Sequence, residues 1–146
     1  MPSVADWVLV ANAARARGYE REAGNGALRE IGAFVHPASR LEGRELGRDR
    51  PGHAFKGAAS TQYQPHTDPH HKEHLAFARE LAAWLEQAAL EQRFERLTLC
   101  ASAGFLGVLR GQLGSATAGR LRTCIARDFT AYTGRELEQR VARAMP

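Results

Sequence analysis

The sequence predicts an α/β domain of three layers, with one mixed five-stranded sheet and elements in the order β-β-β-α-β-α-β-α. Three observations predict it. The first third holds three short segments, apolar or alternating, separated by turn signals. Residues 69–92 carry a single apolar stripe at helical spacing. After them, two more short apolar segments alternate with helical ones. At 146 residues the chain is about one domain's worth. We therefore expect one domain over 1–146, with a long loop at about 37–66.

Trp7-Val-Leu-Val-Ala11 is a continuous apolar run with β-branched members, the pattern of a buried strand. Asn12-Ala-Ala reads as a tight turn into Ala14–Glu20 (ARARGYE), whose alternation suits a half-buried second strand. Gly24-Asn-Gly26 is a turn signal. Leu28–His36 alternates again and completes an antiparallel meander. Pro37–Pro65 is rich in Gly, Arg and Ser; Ser39-x-x-Glu42 fits a capping box, and Gly47–Gln64 reads as loop. Asp68-Pro69 is a helix start, with Asp68 as N-cap and Pro69 at the first helical position. Phe77, Ala78, Leu81, Trp84, Leu85 and Ala88 then form the apolar stripe up to Gln92. Arg96–Ala101 is the fourth strand, and Ser102-Ala-Gly104 opens a short helix carrying Phe105, Leu106, Leu109 and Leu113. Leu121–Ala126 is the fifth strand, and Thr133–Met145 a last amphipathic helix with Leu137, Val141 and Met145 inward. Right-handed crossovers would put helices on both faces of the sheet. That order outlines a ribonuclease H-like or release-factor-middle-domain-like fold.

Composition narrows the function classes. Apolar content is 44%, an ordinary globular value. No apolar run approaches the roughly 18 residues of a membrane helix, and MPSVADW lacks the pattern of a secretory signal, so a cytoplasmic location is expected. Cys100 and Cys124 lie in apolar strand segments outside any CxxC pair, and read as reduced thiols. The net charge is +4, and Lys56 and Lys72 are the only lysines. Arginine supplies the other basic residues; it suits bidentate contacts to phosphate, although a GC-rich genome gives the same ratio.

Several stretches carry a family resemblance. WVLVANAARARGYE, HPASRLEGRELGRDRPGHAF, HLAFARELAAWL, LTLCASAGFLGVLR and CIARDFT follow one another at these intervals. Together they resemble the bacterial host-attachment proteins, the family called "protein required for attachment to host cells". Its most specific pieces here are Asp49-Arg-Pro-Gly52, Phe105-Leu-Gly107 with Leu109-Arg110, and Arg127-Asp128 followed by Thr130. The resemblance implies relatives in the middle domain of eukaryotic and archaeal peptide-release factors. Two positions depart from the pattern: Asn12 stands where aspartate is usual, and His53 where arginine is frequent. The Gly-Gly-Gln loop of release factors is absent; Gly111-Gln112 falls in an expected helix.

Four site readings compete. A two-metal nuclease on this fold needs several carboxylates at strand ends. The first strand ends in Asn12 and RLTLCASA holds no acid, so Glu73 and Asp128 are too few. No GxSxG elbow exists either, and no catalytic residue or cofactor is assigned. Arg40, Arg44 and Arg48 would stack on one helix face, with Arg50 and His53 beyond them. They form either an anion or RNA contact, or a solvated face balanced by Glu42, Glu45 and Asp49. Residues 96–127 hold Arg96, Arg110, Arg120, Arg122 and Arg127 and no acid, which suits a phosphate-bearing partner such as RNA or the ribosome. The bland alternative is a basic sheet edge. Last, PHTDPHHKEH at 65–74 places four histidines in ten residues. His70 and His74 share a helix face directed at the sheet, a divalent-metal half-site that His66 could complete. Without such ligands they are a hydrogen-bonded pair at a helix end. The expected function is therefore non-catalytic binding. A metal-dependent hydrolase at His70 and His74 is the rival, and a protein–protein module for attachment the third reading.

Overall fold

The apolar run at the start becomes β1 (Asp6–Ala11), the central strand of the sheet. The computed structural model describes residues 4–36 and 69–146, with side chains from His71 onward in the second stretch. The expected loop at 37–66 lies outside them. β2 (Arg15–Arg21) and β3 (Leu28–Val35) complete an antiparallel meander. Gly24 and Gly26 supply the positive φ angles, 93° and 71°, that its second turn requires. Helix α1 (Pro69–Leu90) returns the chain to β4 (Arg96–Ala101), which runs parallel to β1. Helix α2 (Ala103–Gln112) and the single turn α3 (Ser115–Ala118) lead to β5 (Leu121–Ile125), parallel to β4. Helix α4 (Gly134–Ala144) closes the described chain. The sheet order is β3-β2-β1-β4-β5. The expected mixed five-stranded sheet is present, and α3 is an addition to the expected elements.

Period-two alternation divides the strand side chains between two cores. Trp7, Leu9, Leu97 and Leu99 face α1 and α2, where they meet Phe77, Leu81, Leu85, Phe105 and Leu109. Val8, Val10, Tyr19, Cys100 and Ile125 face α4 and meet Leu137 and Val141. The helical stripe from Phe77 to Ala88 is the buried face of α1, as its spacing implies. Trp84 lies over β2 and β3, stacked on Trp7 at 5.2 Å between centroids and edge-on to Phe34 at 4.9 Å. Gly18 and Gly32, paired across the two strands, form the floor beneath its indole. A β-carbon on Gly18 would lie 2.8 Å from the ring.

The pleat also sorts the polar residues. Arg17 pairs with Val10 on one side and Ala33 on the other, and Arg15 pairs with Val35. All five therefore point to the α4 side of the sheet. Leu137 and Val141 of α4 pack on that side against β1, β4, β5 and Tyr19 of β2, and among the described residues Val35 at the end of β3 stays half exposed. No helix among the described residues is long and apolar enough to cross a membrane.

Candidate functional site

The carboxyl ends of β1 and β5 meet in one hydrogen-bonded cluster. Asn12 follows β1, and its Oδ1 accepts from the backbone N–H of Ala14 at 2.8 Å and of Arg15 at 3.0 Å, which shapes the β1–β2 turn. Its Nδ2 donates to Asp128 Oδ2 and to Thr130 Oγ1, both at 3.0 Å. Asp128 Oδ1 accepts from the Thr130 N–H at 2.9 Å and from its hydroxyl at 2.6 Å. Partial burial raises the Asp128 pKa, but the bonds from Thr130 and Asn12, with Arg15 nearby, outweigh it and hold the group below its ordinary value. The cluster is a latch between the first turn and the segment after β5. An aspartate at position 12 would bring a second anion here; asparagine brings a donor, and Asp128 spends its lone pairs on neighbours.

Beyond this latch, the segment after β5 and helix α4 enclose a groove of about 520 Å³. Arg127, Arg140 and Arg143 line it beside Ile125 and Phe129, and no acid is among the lining residues. Arg140 and Arg143 stand three apart on one helix face. Arg140 stacks over the Tyr132 ring at 3.9 Å and donates to Glu136 at 3.2 Å, so its position is fixed. Arg127 and Arg143 are exposed, and among the described residues neither has a carboxylate within 4.0 Å.

The acid-free stretch 96–127 divides: Arg96, Arg120 and Arg122 line one open groove beside Glu95, and Arg110 and Arg127 lie elsewhere. Arg120 turns inward and donates to the carbonyls of Phe94 at 3.0 Å and Ala116 at 2.9 Å, bracing α3 against β4. Arg122 donates to the Gly119 carbonyl at 3.1 Å, and Arg96 approaches Asp6 at 3.7 Å. Burial still raises the Asp6 pKa, against the pull of Arg96 and Arg21. Arg110 is exposed on α2, on the other side of the sheet from α4. Arg127 lies past the opposite end of β5 from Arg120. Of the arginines singled out from sequence that lie among the described residues, Arg127 alone joins the groove beside α4. Arg140 and Arg143 were missed because an amphipathic helix's polar face looks like ordinary solvated surface. Arg40, Arg44, Arg50 and His53 lie outside the described residues.

The histidine cluster resolves in part. His66 and the His70 side chain lie outside the described residues. His74 is half-buried, edge-on to Phe105 at 6.4 Å between centroids, so it does face the interior. His71 is exposed. His36, at the end of β3, bonds Glu73 of α1 at 2.8 Å and stacks on Phe77 at 5.1 Å. That pair clamps the meander to α1. No group of three or more His, Cys, Asp or Glu side chains that could hold a metal occurs among the described residues.

Cys100 and Cys124 are free thiols on adjacent strands. Burial pushes the Cys100 pKa up to about 12, with Cys124 adding to it, which leaves the thiol unreactive.

The comparisons with known proteins bear on the whole chain. A family model described as "Protein required for attachment to host cells" matches residues 7–141. Curated proteins give no match. Among solved structures, the Aquifex aeolicus Ppx/GppA phosphatase, type II variant, is 11% identical with a TM-score of 0.38. The alignment covers 84% of this chain and 36% of that one, so the chain spans about a third of the phosphatase's length.

Proposed function

The chain belongs to the family of proteins required for attachment to host cells, and on that premise we propose that it is a non-catalytic binding protein whose ligand is RNA. A function related to host attachment follows from the family; its description specifies no chemistry. The observation that carries the RNA reading is the groove between the β5 exit and α4, where Arg127, Arg140 and Arg143 converge without a lining acid. Arginine forks match phosphate oxygens, and an open groove admits a strand running along it. Tyr132 beneath Arg140 holds one guanidinium in place, which lowers the entropy lost on binding. The release-factor relatives that the resemblance to host-attachment proteins implies direct the choice to RNA and the translation machinery. The groove offers no code for base edges, so contact is through the backbone.

The test is fluorescence anisotropy with a labelled single-stranded RNA of about 20 nucleotides across a salt series. Binding should weaken steeply from about 50 to 200 mM salt. Arg127→Ala and Arg143→Ala should each weaken it and reduce the logarithmic salt slope by about 0.7 per lost phosphate contact. Salt-insensitive binding, or variants identical to the parent, would refute the reading.

A further inference from the structure

Beside α4, residues of β1, β2 and β3 line a second pocket with Thr130 and Tyr132. Its floor is Val10, Tyr19 and Ala33, and Val35 and Tyr132 form its walls. Its volume is about 100 Å³. An apolar cavity of roughly 150 Å³ accepts a benzene ring, and this one is open at its mouth, so a single ring fits with part of the ligand outside. Arg15 and Arg17 stand at that mouth, two residues apart on the same face of β2. Their placement follows from the alternation Arg15-Ala-Arg17-Gly-Tyr19, which puts all three larger side chains on the α4 side.

The charges around the pocket are incompletely matched. Arg17 lies beside Tyr19 and pairs loosely with Glu30, its Nε 4.0 Å from the carboxylate and beyond hydrogen-bond reach. Arg15 lies near Asp128, but that carboxylate accepts from Asn12 and Thr130. Thr130 spends its hydroxyl on the same latch. Each guanidinium thus has a carboxylate nearby, Glu30 for Arg17 and Asp128 for Arg15, but among the described residues neither forms a hydrogen bond to one. Val35, half in solvent at 50% exposure, is one of three large apolar side chains so exposed among those residues.

We infer that this pocket binds a small aromatic acid, its ring against Ala33, Val35 and Tyr132 and its carboxylate held by Arg15 and Arg17. The apolar floor selects the ring, and the paired arginines select an anion over a neutral amide. The pocket shares no lining residue with the arginine groove, so it stands or falls independently of RNA binding.

The test is titration of the full chain with benzoate and with 3-phenylpropionate, followed by backbone amide NMR shifts. Either acid should give saturable shifts at residues 15–19, 33–35 and 130–132, while benzamide should give none. Arg15→Ala and Arg17→Ala should each weaken binding about tenfold, the loss expected for one charge-assisted bond. Ala33→Leu, which fills the slot and keeps both arginines, should abolish it. Absence of saturable shifts with both acids overturns the inference. So do shifts confined to other residues, benzamide binding as well as benzoate, or full binding by Ala33→Leu.

Discussion

Replacing Asn12 by aspartate tests the latch at the carboxyl ends of β1 and β5. Asn12→Asp keeps an oxygen for the N–H groups of Ala14 and Arg15, so the turn survives. It removes the amide donor to Asp128 and Thr130 and sets a carboxylate oxygen about 3.0 Å from Asp128 Oδ2. Two like charges about 3 Å apart repel by about 1.4 kcal/mol in bulk water and about 5.5 kcal/mol at an effective dielectric of about 20. Asp128 is solvent-exposed, so the lower part of that range applies, about 1.5–2 kcal/mol. The lost hydrogen bonds add about 1.5 kcal/mol. Together the substitution should destabilise the fold by about 3 kcal/mol at pH 7.

Its pH dependence separates charge from shape. In the parent the Asp128 pKa is lowered, so its contribution is present above the unfolded carboxylate value near 3.9 and is lost as pH falls through the folded value. In Asn12→Asp the facing pair raises the folded pKa values instead. The native state then binds more protons than the unfolded chain as pH falls towards 4, and stability is recovered there. Urea denaturation of the parent, Asn12→Asp and Asn12→Ala at pH 7.0 and 4.5 measures this. The deficit of Asn12→Asp should shrink by roughly half on acidification, while that of Asn12→Ala should not shrink. Equal deficits for Asn12→Asp at both pH values would refute the latch as a charge-sensitive contact.

Other substitutions probe the packing and caps. Gly18→Ala should cost about 1–3 kcal/mol in urea denaturation, because its β-carbon meets the Trp84 ring at 2.8 Å; a neutral result would show that Trp84 can shift. Glu86 accepts from the Thr117 N–H at 3.0 Å, its hydroxyl at 2.8 Å and the Ala116 N–H at 3.2 Å. These bonds, those of Thr117 first, lower its pKa, so its contribution is complete above pH 4.3 or so and fades as pH falls through the folded value. Glu86→Ala should lose about 1–2 kcal/mol at pH 7 and flatten the acid limb of the stability curve; an unchanged acid limb would count against the cap. Cys100 should resist a thiol reagent at pH 8 until the protein unfolds, read by stopped-flow absorbance; fast modification of the folded protein would contradict its burial.

The elements that sequence reading located share one property: their signal is local. The Phe77–Ala88 stripe repeats within a few residues, and so does the alternation of β2. The limits moved by a residue or two, because fraying ends and turns are decided by hydrogen bonds rather than by apolar pattern. The site depends on contacts of another kind. Asn12 and Asp128 are 116 positions apart, and Glu86 and Thr117 are 31 apart. No periodicity records such pairs. Position 12 is legible as a departure from the aspartate usual in the family. What asparagine does there, donating to Asp128, needed the sheet order that brings β1 and β5 to the same end.

The arginines show why charge counted along a chain misleads. Between residues 96 and 127 the count is five positive and none negative, which reads as one basic surface. The fold spends Arg120 on two carbonyls and Arg122 on a third, and carries Arg110 to the opposite face. Arg120 is half-buried and held to two carbonyls, so it is aimed into the domain, and Arg122 is tied to the turn before β5 through one nitrogen. The groove is built instead from Arg127 and the polar face of α4, where Glu136 and Glu138 dilute the linear count. Glu138 turns to the Leu28 N–H at 3.0 Å and Glu136 to Arg140. Glu138 is thereby drawn off to β3, while Glu136 offsets the charge of Arg140, leaving Arg127 and Arg143 to set the potential of the groove. The same logic holds on β2, where Arg15 and Arg17 alternate with small residues. That alternation was visible, and it placed both on one face. What it could not convey is that both line one apolar slot with Tyr132 from beyond β5, and an arginine pair there is a different object from an arginine pair on a solvated strand.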